Sequence, residues 1–227
     1  WPLLWLTVTL LIYLTAQWLH TATRSTWLNP VLVSIVAMGF ILTLTHTPYV
    51  DYAEATRFIH FMLGPATVAL AVPLYHRVSR LSTLLGPITV ALVFGALVAI
   101  VSAVGLGKLL GASDPTLLSL APKSVTTPIA MGIAEKIGGQ PSLTAVLVIL
   151  TGIVGAVGGK AILDALHIED PAVRGFAIGV ASHGIGTARA FQMDEETGAF
   201  SGLGMGLNGI LTAIIIPVLM DLLNLVP

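Results

Sequence analysis

Six long stretches without a charged residue constrain the fold of this chain more than any other feature of the sequence. A helix needs roughly 20 mainly apolar residues to cross the hydrocarbon core of a bilayer. Each stretch reaches or nearly reaches that length, and charged residues bound it. The sequence therefore predicts six membrane helices: Pro2 to Thr23, Ser25 to Val50, Phe58 to His76, Leu81 to Gly107, Ile137 to Gly159, and Thr197 to Met220.

The scarcity of charge excludes most other classes of protein. Lys and Arg contribute 10 and Asp and Glu 11 of the 227 residues, and 56% of the chain is hydrophobic. Soluble domains carry about 25% charged residues, so neither a lone soluble domain nor a disordered chain fits. The net charge of −1 offers no basic patch for nucleic acid. There is no cysteine for a disulfide or thiolate site, and we expect the first stretch to be a membrane helix and not a signal peptide.

Two further apolar segments are shorter and interrupted. One runs from Pro115 to Ala134 and the other from Pro171 to Met193, and both are rich in Gly, Pro, Ser and Thr. Discontinuous helices of transporters have this composition, and irregular backbone survives at membrane depth only inside the protein. We therefore expect an all-α polytopic membrane protein with about eight hydrophobic segments, two or three of them broken or re-entrant.

A weak internal echo accompanies these segments. Residues 63–68 resemble residues 120–125, and the same offset relates Gly95 to Gly152. Interrupted helices in two halves favour an internal repeat, most readily an inverted one. Apolar sequences also match by chance, and the residues alone do not decide between parallel and inverted copies.

The first interrupted segment carries a lysine among hydroxyl groups. Lys123 costs about 2.5 to 3.5 kcal/mol to insert in an apolar segment, which a bound anion or water would offset. A helix starting near Pro128 would aim free N–H groups at the same place. The segment predicts a small-anion site; the alternative is a lysine that reaches the interface beside capping hydroxyls. The predicted binding residues are Pro122, Lys123, Ser124, Thr126, Thr127 and Pro128.

The second interrupted segment carries a histidine and an arginine. Gly184 and Gly186 permit an unwound stretch, His183 could exchange a proton near neutral pH, and Arg189 could hold a carboxylate with two hydrogen bonds. The alternative is close helix packing through small residues, with Arg189 at the membrane edge. The predicted binding residues here are Ser182, His183, Gly184, Thr187 and Arg189.

The last segment combines small residues with one amide. Gly202 and Gly206 have the spacing of close helix packing. Asn208 needs hydrogen-bond partners if it is buried, and it could line the site or join helices. Enzyme motifs are scarce: the sequence has no phosphate-binding loop, metal-ligand spacing or nucleophile–base pair. We expect neither an enzyme nor a metal site.

Four runs resemble signatures of the LrgB/CidB family. They are residues 63–75 (LGPATVALAVPLY), 122–130 (PKSVTTPIA), 181–190 (ASHGIGTARA) and 205–213 (MGLNGILTA). The resemblance extends over nearly the whole chain and implies one transmembrane domain of residues 1–227. The echo between residues 63–68 and 120–125 also associates Pro65 and Thr67 with the site. Gly159 is followed by Lys160, where the family pattern leads us to expect proline.

The resemblance implies a multi-pass protein of the bacterial inner membrane. Family members are described as holin- or antiholin-like modulators of murein hydrolase export and autolysis. Relatives, including a chloroplast protein, are associated with transport of glycolate, glycerate, pyruvate or similar acids. A small LrgA/CidA-like membrane protein is the implied partner.

Together these observations predict a transporter of small 2-hydroxy or 2-oxo monocarboxylates. We expect alternating access, coupling to H⁺ through His183, no cofactor, and a homodimer. The rival hypothesis is a holin-like pore or regulator without a substrate of its own. Saturable flux that depends on Lys123 would favour the transporter, whereas unselective leakage would favour the pore.

Overall fold

Helices make up all the regular secondary structure of the described residues. The computed structural model describes residues 2–23, 25 and 28–223. The helices are α1 (Pro2–Thr23), α2 (Pro30–Leu44), α3 (Tyr49–Ala55), α4 (Arg57–Ala69), α5 (Ala71–Tyr75), α6 (Val78–Leu109), α7 (Asp114–Leu120), α8 (Thr127–Ile137), α9 (Pro141–Ala165), α10 (Pro171–Phe191) and α11 (Glu195–Leu222).

Five stretches of the described chain are long and apolar enough to cross a membrane. They are Leu3–Thr23, Arg57–Tyr75, Val78–Leu109, Pro141–Ala165 and Glu195–Leu222. This confirms the all-α membrane class and matches five of the six predicted spans. The charged residues at the predicted ends do not stop the helices, because α9 continues past Lys160 to Ala165.

The prediction for Ser25 to Val50 is wrong in length. Its helix, α2, has 15 residues, which rise about 22 Å against a hydrocarbon core of about 30 Å. The Asn29 side chain accepts hydrogen bonds from Val31 N and Leu32 N and thereby caps the start. At the other end His46 takes a positive φ of 50°, so the chain turns where the sequence still looks apolar.

The helices form two compact units, Trp1–Leu70 and Ala71–Pro227. In the first unit α1 packs on α2 and α3. The ring of Trp5 meets that of Tyr52 edge-on, with 6.0 Å between centroids. The Tyr52 hydroxyl also lies 3.2 Å from Thr9 Oγ1.

In the second unit α10 folds back on itself. His183 has φ 42° and ψ −137°, which breaks the helix into arms of residues 171–182 and 184–191. Ile178 and Ala190 share a core cluster with Leu163, although residues 12 apart lie about 18 Å apart along a straight helix. The two arms therefore run side by side as a re-entrant hairpin. We call it the second hairpin, because another hairpin precedes it in the chain.

The elements α7 and α8 form a first hairpin. They have 7 and 11 residues, too few to cross a bilayer, and residues 121–126 form the turn between them. The base of this hairpin adjoins the start of α9, since Thr144 Oγ1 donates to Ser119 O at 3.0 Å. It also adjoins the end of α6, where a Cβ on Gly107 would meet the Leu117 and Leu120 side chains.

The two hairpins enter from opposite faces of the second unit. The start of α6 lies at the base of the second hairpin, because Arg80 contacts Asp170. Its end adjoins the first hairpin, while α9 runs the other way. One copy consists of α6 and the first hairpin, and the other of α9 and the second hairpin. The two copies are thus inverted relative to each other, as in many transporters.

Matching turns mark the two copies. Gly111 after α6 and His167 after α9 both have positive φ, 78° and 55°. An Asp-Pro pair follows each turn, Asp114-Pro115 and Asp170-Pro171. The echo between residues 63–68 and 120–125 is not structural, because the former lie within α4, whereas the latter end α7 and form the turn after it.

Glycines bring α10 and α11 into backbone contact. A Cβ on Gly175 or Gly179 would overlap the carbonyls of Thr197 or Ser201. The expectation that Gly206 serves this purpose is wrong, because a Cβ there would meet nothing within 4 Å. The close approach is made by Gly175 and Gly179, four residues apart on α10, and by Gly204 of α11, where a Cβ would lie 2.8 Å from Phe176 O.

Candidate functional site

The centre of the second unit is organised by the side chain of Asn208. This residue lies in the middle of α11 and is 1% exposed. Its Nδ2 donates to Ser124 O at 3.2 Å and to Val180 O at 3.0 Å, and its Oδ1 accepts from Thr212 Oγ1 at 3.2 Å. One amide therefore joins the turn of the first hairpin to the inner end of the second. Of its two predicted roles, the contacts are those of a residue that joins helices.

His183 forms the tip of the second hairpin. It is 3% exposed, and its Nε2 lies 2.9 Å from Val148 O on α9. Because a carbonyl can only accept, Nε2 carries the hydrogen and Nδ1 is the acceptor of the neutral ring. A positive φ at a non-glycine residue costs about 1–3 kcal/mol and persists only when the surroundings hold it. The Val148 contact is one such constraint.

Two glycines of α9 make room for this tip. A Cβ on Gly152 would lie 2.7 Å from His183 Cε1 and 2.9 Å from Nε2. A Cβ on Gly155 would overlap the Ser182 side chain. Sequence reasoning missed Val148, Gly152 and Gly155 as parts of the site. The available signal was the series of glycines in α9, where Gly152 and Gly155 are followed by Gly158 and Gly159.

Lys123 lies in the turn of the first hairpin. It is partly buried, and its Nζ lies 3.3 Å from Ser124 Oγ. The amide of Asn208 bonds both Ser124 O in this turn and Val180 O, three residues before His183. The two hairpins thus bring a cation and an imidazole, predicted from separate segments, into one region. Pro122 and Ser124 are buried in the same turn.

A helix start adds positive potential beside Lys123. Thr126 is the N-cap of α8 but makes no side-chain capping hydrogen bond, so its hydroxyl does not occupy the N–H groups of the first turn. Thr127 opens the helix, and Pro128 follows in an exposed position. The start of a helix carries about half a positive charge. Lys123 and this helix start together favour an anion.

Ser182, Gly184 and Thr187 surround the break in α10. Ser182 is 2% exposed, and Gly184 begins the returning arm. Thr187 is also buried, but its hydroxyl donates to His183 O at 2.8 Å and meets Ser201 Oγ at 2.9 Å. Those contacts fasten the returning arm to itself and to α11. The sequence predicts an unwound stretch at Gly184 and Gly186. In the structure the positive φ is instead at His183.

Arg189 is not brought to the hairpin tips. It lies six residues beyond His183, about 9 Å along the returning arm, in the last turn of α10. Its Nη1 donates to Gln192 Oε1 at 2.9 Å. Because the arm folds back, Arg189 lies at the hairpin base, in a surface concavity with Lys160, Arg174 and Asp194. This is the position at the membrane edge, the alternative to substrate contact that the sequence leaves open for Arg189.

Pro65 and Thr67 lie outside the second unit. Both are in α4 of the first unit, and the side chain of Thr67 is outside the described residues. Lys160, the departure from the family pattern, forms an ion pair with Asp164 at 2.6 Å. In the described ranges no three His, Asp or Glu side chains gather to hold a metal ion.

Comparison with known proteins decides the family. The sequence model of the LrgB-like family matches residues 9–222. The chain belongs to the LrgB-like family. It is 36% identical over 214 residues to the uncharacterized protein YwbG of Bacillus subtilis strain 168, covering 94% of this chain and 95% of that one. No solved structure matches the chain.

Staphylococcal relatives carry a functional name. The chain is 30% identical over 217 residues to the holin-like protein CidB of Staphylococcus aureus strain Mu50, covering 96% of this chain and 95% of the relative. It is 29% identical over 212 residues to a protein of the same name from Staphylococcus epidermidis strain RP62A, with 93% of each chain covered. With its apolar helices, this family member is a multi-pass bacterial membrane protein.

Proposed function

We propose that this LrgB-like chain carries small carboxylate anions across the bacterial membrane by alternating access. The observation that supports this most directly is Lys123, a partly buried cation in the turn of a re-entrant hairpin. A cation at this depth needs an anion, a carboxylate or water. Its side-chain contact is the neutral hydroxyl of Ser124, which leaves the charge for a ligand.

The surroundings of Lys123 suit a compact carboxylate. Hydroxyl groups of Ser124, Thr126 and Thr127 adjoin it in the chain, and the uncapped start of α8 offers N–H donors. These groups favour monocarboxylates of the glycolate, glycerate, pyruvate or lactate type. Binding and release of such an acid need no covalent step, and the proposed activity is transport and not catalysis.

His183 is the proposed proton carrier. Its Nε2–H is held by Val148 O at 2.9 Å, so Nδ1 is the nitrogen that can take a proton. A protonated ring beside Lys123 would strengthen binding of an anion. We therefore propose that a proton accompanies the carboxylate and that an inward pH gradient drives its accumulation.

A holin-like role is the second candidate, and the names of the staphylococcal relatives favour it. Those names support a holin-like pore or regulator more directly than transport of any particular acid. In that case the hairpins would regulate permeability. Under either proposal a small LrgA/CidA-like membrane protein is the expected partner, and a homodimer is the expected assembly.

Uptake of labelled acids into proteoliposomes tests the proposal. We expect saturable uptake of at least one of glycolate, lactate and pyruvate by the unaltered chain, and its loss in Lys123→Ala. The matched control is Lys136→Ala, because Lys136 is an exposed cation of the same hairpin. Equal uptake by Lys123→Ala and Lys136→Ala would contradict the proposed site. The same assay repeated with the LrgA-like protein present measures the effect of the partner.

A further inference from the structure

Arg80 joins three helices at the base of the second hairpin. Its Nη2 lies 2.5 Å from Asp170 Oδ2, and its Nη1 lies 2.5 Å from Glu196 Oε1. Arg77 adds a longer contact of 3.6 Å to Glu196 Oε2. The Glu196 side chain is only 12% exposed, so the arginine charges balance a carboxylate that is largely removed from water. We call Arg77, Arg80, Asp170 and Glu196 the basal ion cluster.

The two carboxylates stand at the starts of two helices. Asp170 caps α10, accepting from Ala172 N at 2.9 Å and Val173 N at 3.1 Å. Glu196 lies in the first turn of α11. Arg80 belongs to the first turn of α6. The second hairpin therefore cannot move away from α6 and α11 at this face without separating Asp170 from Arg80.

The opposite face is held by a different kind of contact. There Ser119 Oγ accepts from Gln140 N at 2.8 Å, and Ser119 O accepts from Thr144 Oγ1 at 3.0 Å. Ser119 and Thr144 are fully buried. Within residues 28–223, no ion pair crosses the base of the first hairpin. The two inverted copies are thus closed by unlike bonds, ionic at one base and neutral at the other.

We propose that the basal ion cluster is an electrostatic latch that keeps the second hairpin closed. The inference rests on the proposed alternating access, in which each hairpin acts as the gate at the face where its base lies. Separation of the cluster opens the second-hairpin face and leaves the first hairpin unchanged. Salt favours the same opening, since the side chains of Arg80 and Asp170 are 38% and 47% exposed and exposed charges are screened.

Thiol labelling tests the latch without any substrate. The chain has no cysteine, so a single introduced cysteine reports one position. Ser201→Cys is the probe, because Ser201 is buried on α11 where Gly179 of the second hairpin covers it. Ser119→Cys is the matched probe at the first hairpin. Both are labelled with a polar maleimide in the full chain held in nanodiscs, where both faces are open to the reagent.

Three substitutions then remove the cluster or leave it intact. Arg80→Gln removes the shared cation. Asp170→Asn removes the charge and keeps an oxygen that can cap α10. Lys108→Gln is the control, because Lys108 ends α6 at the other face. We expect Arg80→Gln and Asp170→Asn each to increase the labelling rate at Ser201→Cys about tenfold, which corresponds to about 1.4 kcal/mol. The labelling rate at Ser119→Cys should change by less than about twofold in both variants. Lys108→Gln should change neither rate.

Either of two results overturns the latch. One is an unchanged rate at Ser201→Cys in both Arg80→Gln and Asp170→Asn. The other is an equal increase at both cysteines, which means general loosening. A different result would refute the proposed transport alone. If labelling responds as expected but the chain shows no saturable uptake of any acid, the latch is supported and the carrier is refuted.

Discussion

Asn208 is the residue on which both hairpins depend. Its amide donates to one carbonyl of each hairpin, and a buried carbonyl that loses its donor costs about 1–3 kcal/mol. We expect Asn208→Ala, which leaves two such carbonyls without their donor, to lower the free energy of unfolding by about 2 to 6 kcal/mol and to reduce uptake. Thr212→Val is the control, since it removes only the donor to Asn208 Oδ1 and should cost less. Denaturant unfolding in detergent measures both, and equal losses would contradict the bridging role.

Gly152 provides the space that His183 occupies. A Cβ at this position would lie 2.7 Å from His183 Cε1, so Gly152→Ala must displace the ring from Val148 O. We expect uptake to fall at least tenfold while the chain still folds. Gly158→Ala on the same helix should behave as the unaltered chain, because its Cβ would meet only Ile162 Cδ1 at 4.0 Å. Uptake by Gly152→Ala equal to that of Gly158→Ala would show that the ring position is irrelevant.

At the residue scale the sequence predicts the polar groups and misses the backbone around them. Lys123 and His183 stand out because charged or titratable groups are rare in apolar segments. Arg189 stands out for the same reason, yet the fold returns it to the hairpin base. Val148 could not be predicted, because its contribution is a main-chain carbonyl that any residue would supply.

The second hairpin, as an element, depends on close contact with α11. Gly175 and Gly179 allow the backbone contact, and a Cβ at either would overlap a carbonyl of α11. We expect Gly179→Ala to lower the melting temperature measurably in detergent, because neither backbone can move aside. Gly206→Ala is the control and should be neutral, because Gly206 faces open space. A greater loss in Gly206→Ala than in Gly179→Ala would contradict this packing of α10 on α11.

The elements themselves were predictable from hydropathy, and their direction was not. Long apolar runs locate α6, α9 and α11 because a bilayer-spanning helix satisfies all its backbone groups internally. Glycine and proline mark the two interrupted segments. The reversal of α10 depends on a positive φ at His183, a conformation that non-glycine residues adopt only under tertiary constraint. Local sequence carries no signal for it.

At the scale of the molecule, the second unit consists of two inverted copies of a long helix and a hairpin. The tips of the two hairpins meet at the amide of Asn208. The Asp-Pro pairs and the positive-φ turns recur at the same spacing in both copies. Such an arrangement can exchange the packing of its two halves and expose a central site to either face in turn. A carrier of this kind never opens both faces together, whereas a holin-like pore does.

Counterflow measures this difference most directly. Vesicles are loaded with an unlabelled acid that the chain accepts, together with a neutral dye, and are diluted into a trace of the labelled acid. We predict transient accumulation of label above equilibrium in the unaltered chain and Lys136→Ala, none in Lys123→Ala, and retention of the dye throughout. Equilibration of label without overshoot, accompanied by dye leakage that Lys123→Ala does not change, would contradict the carrier and establish the pore.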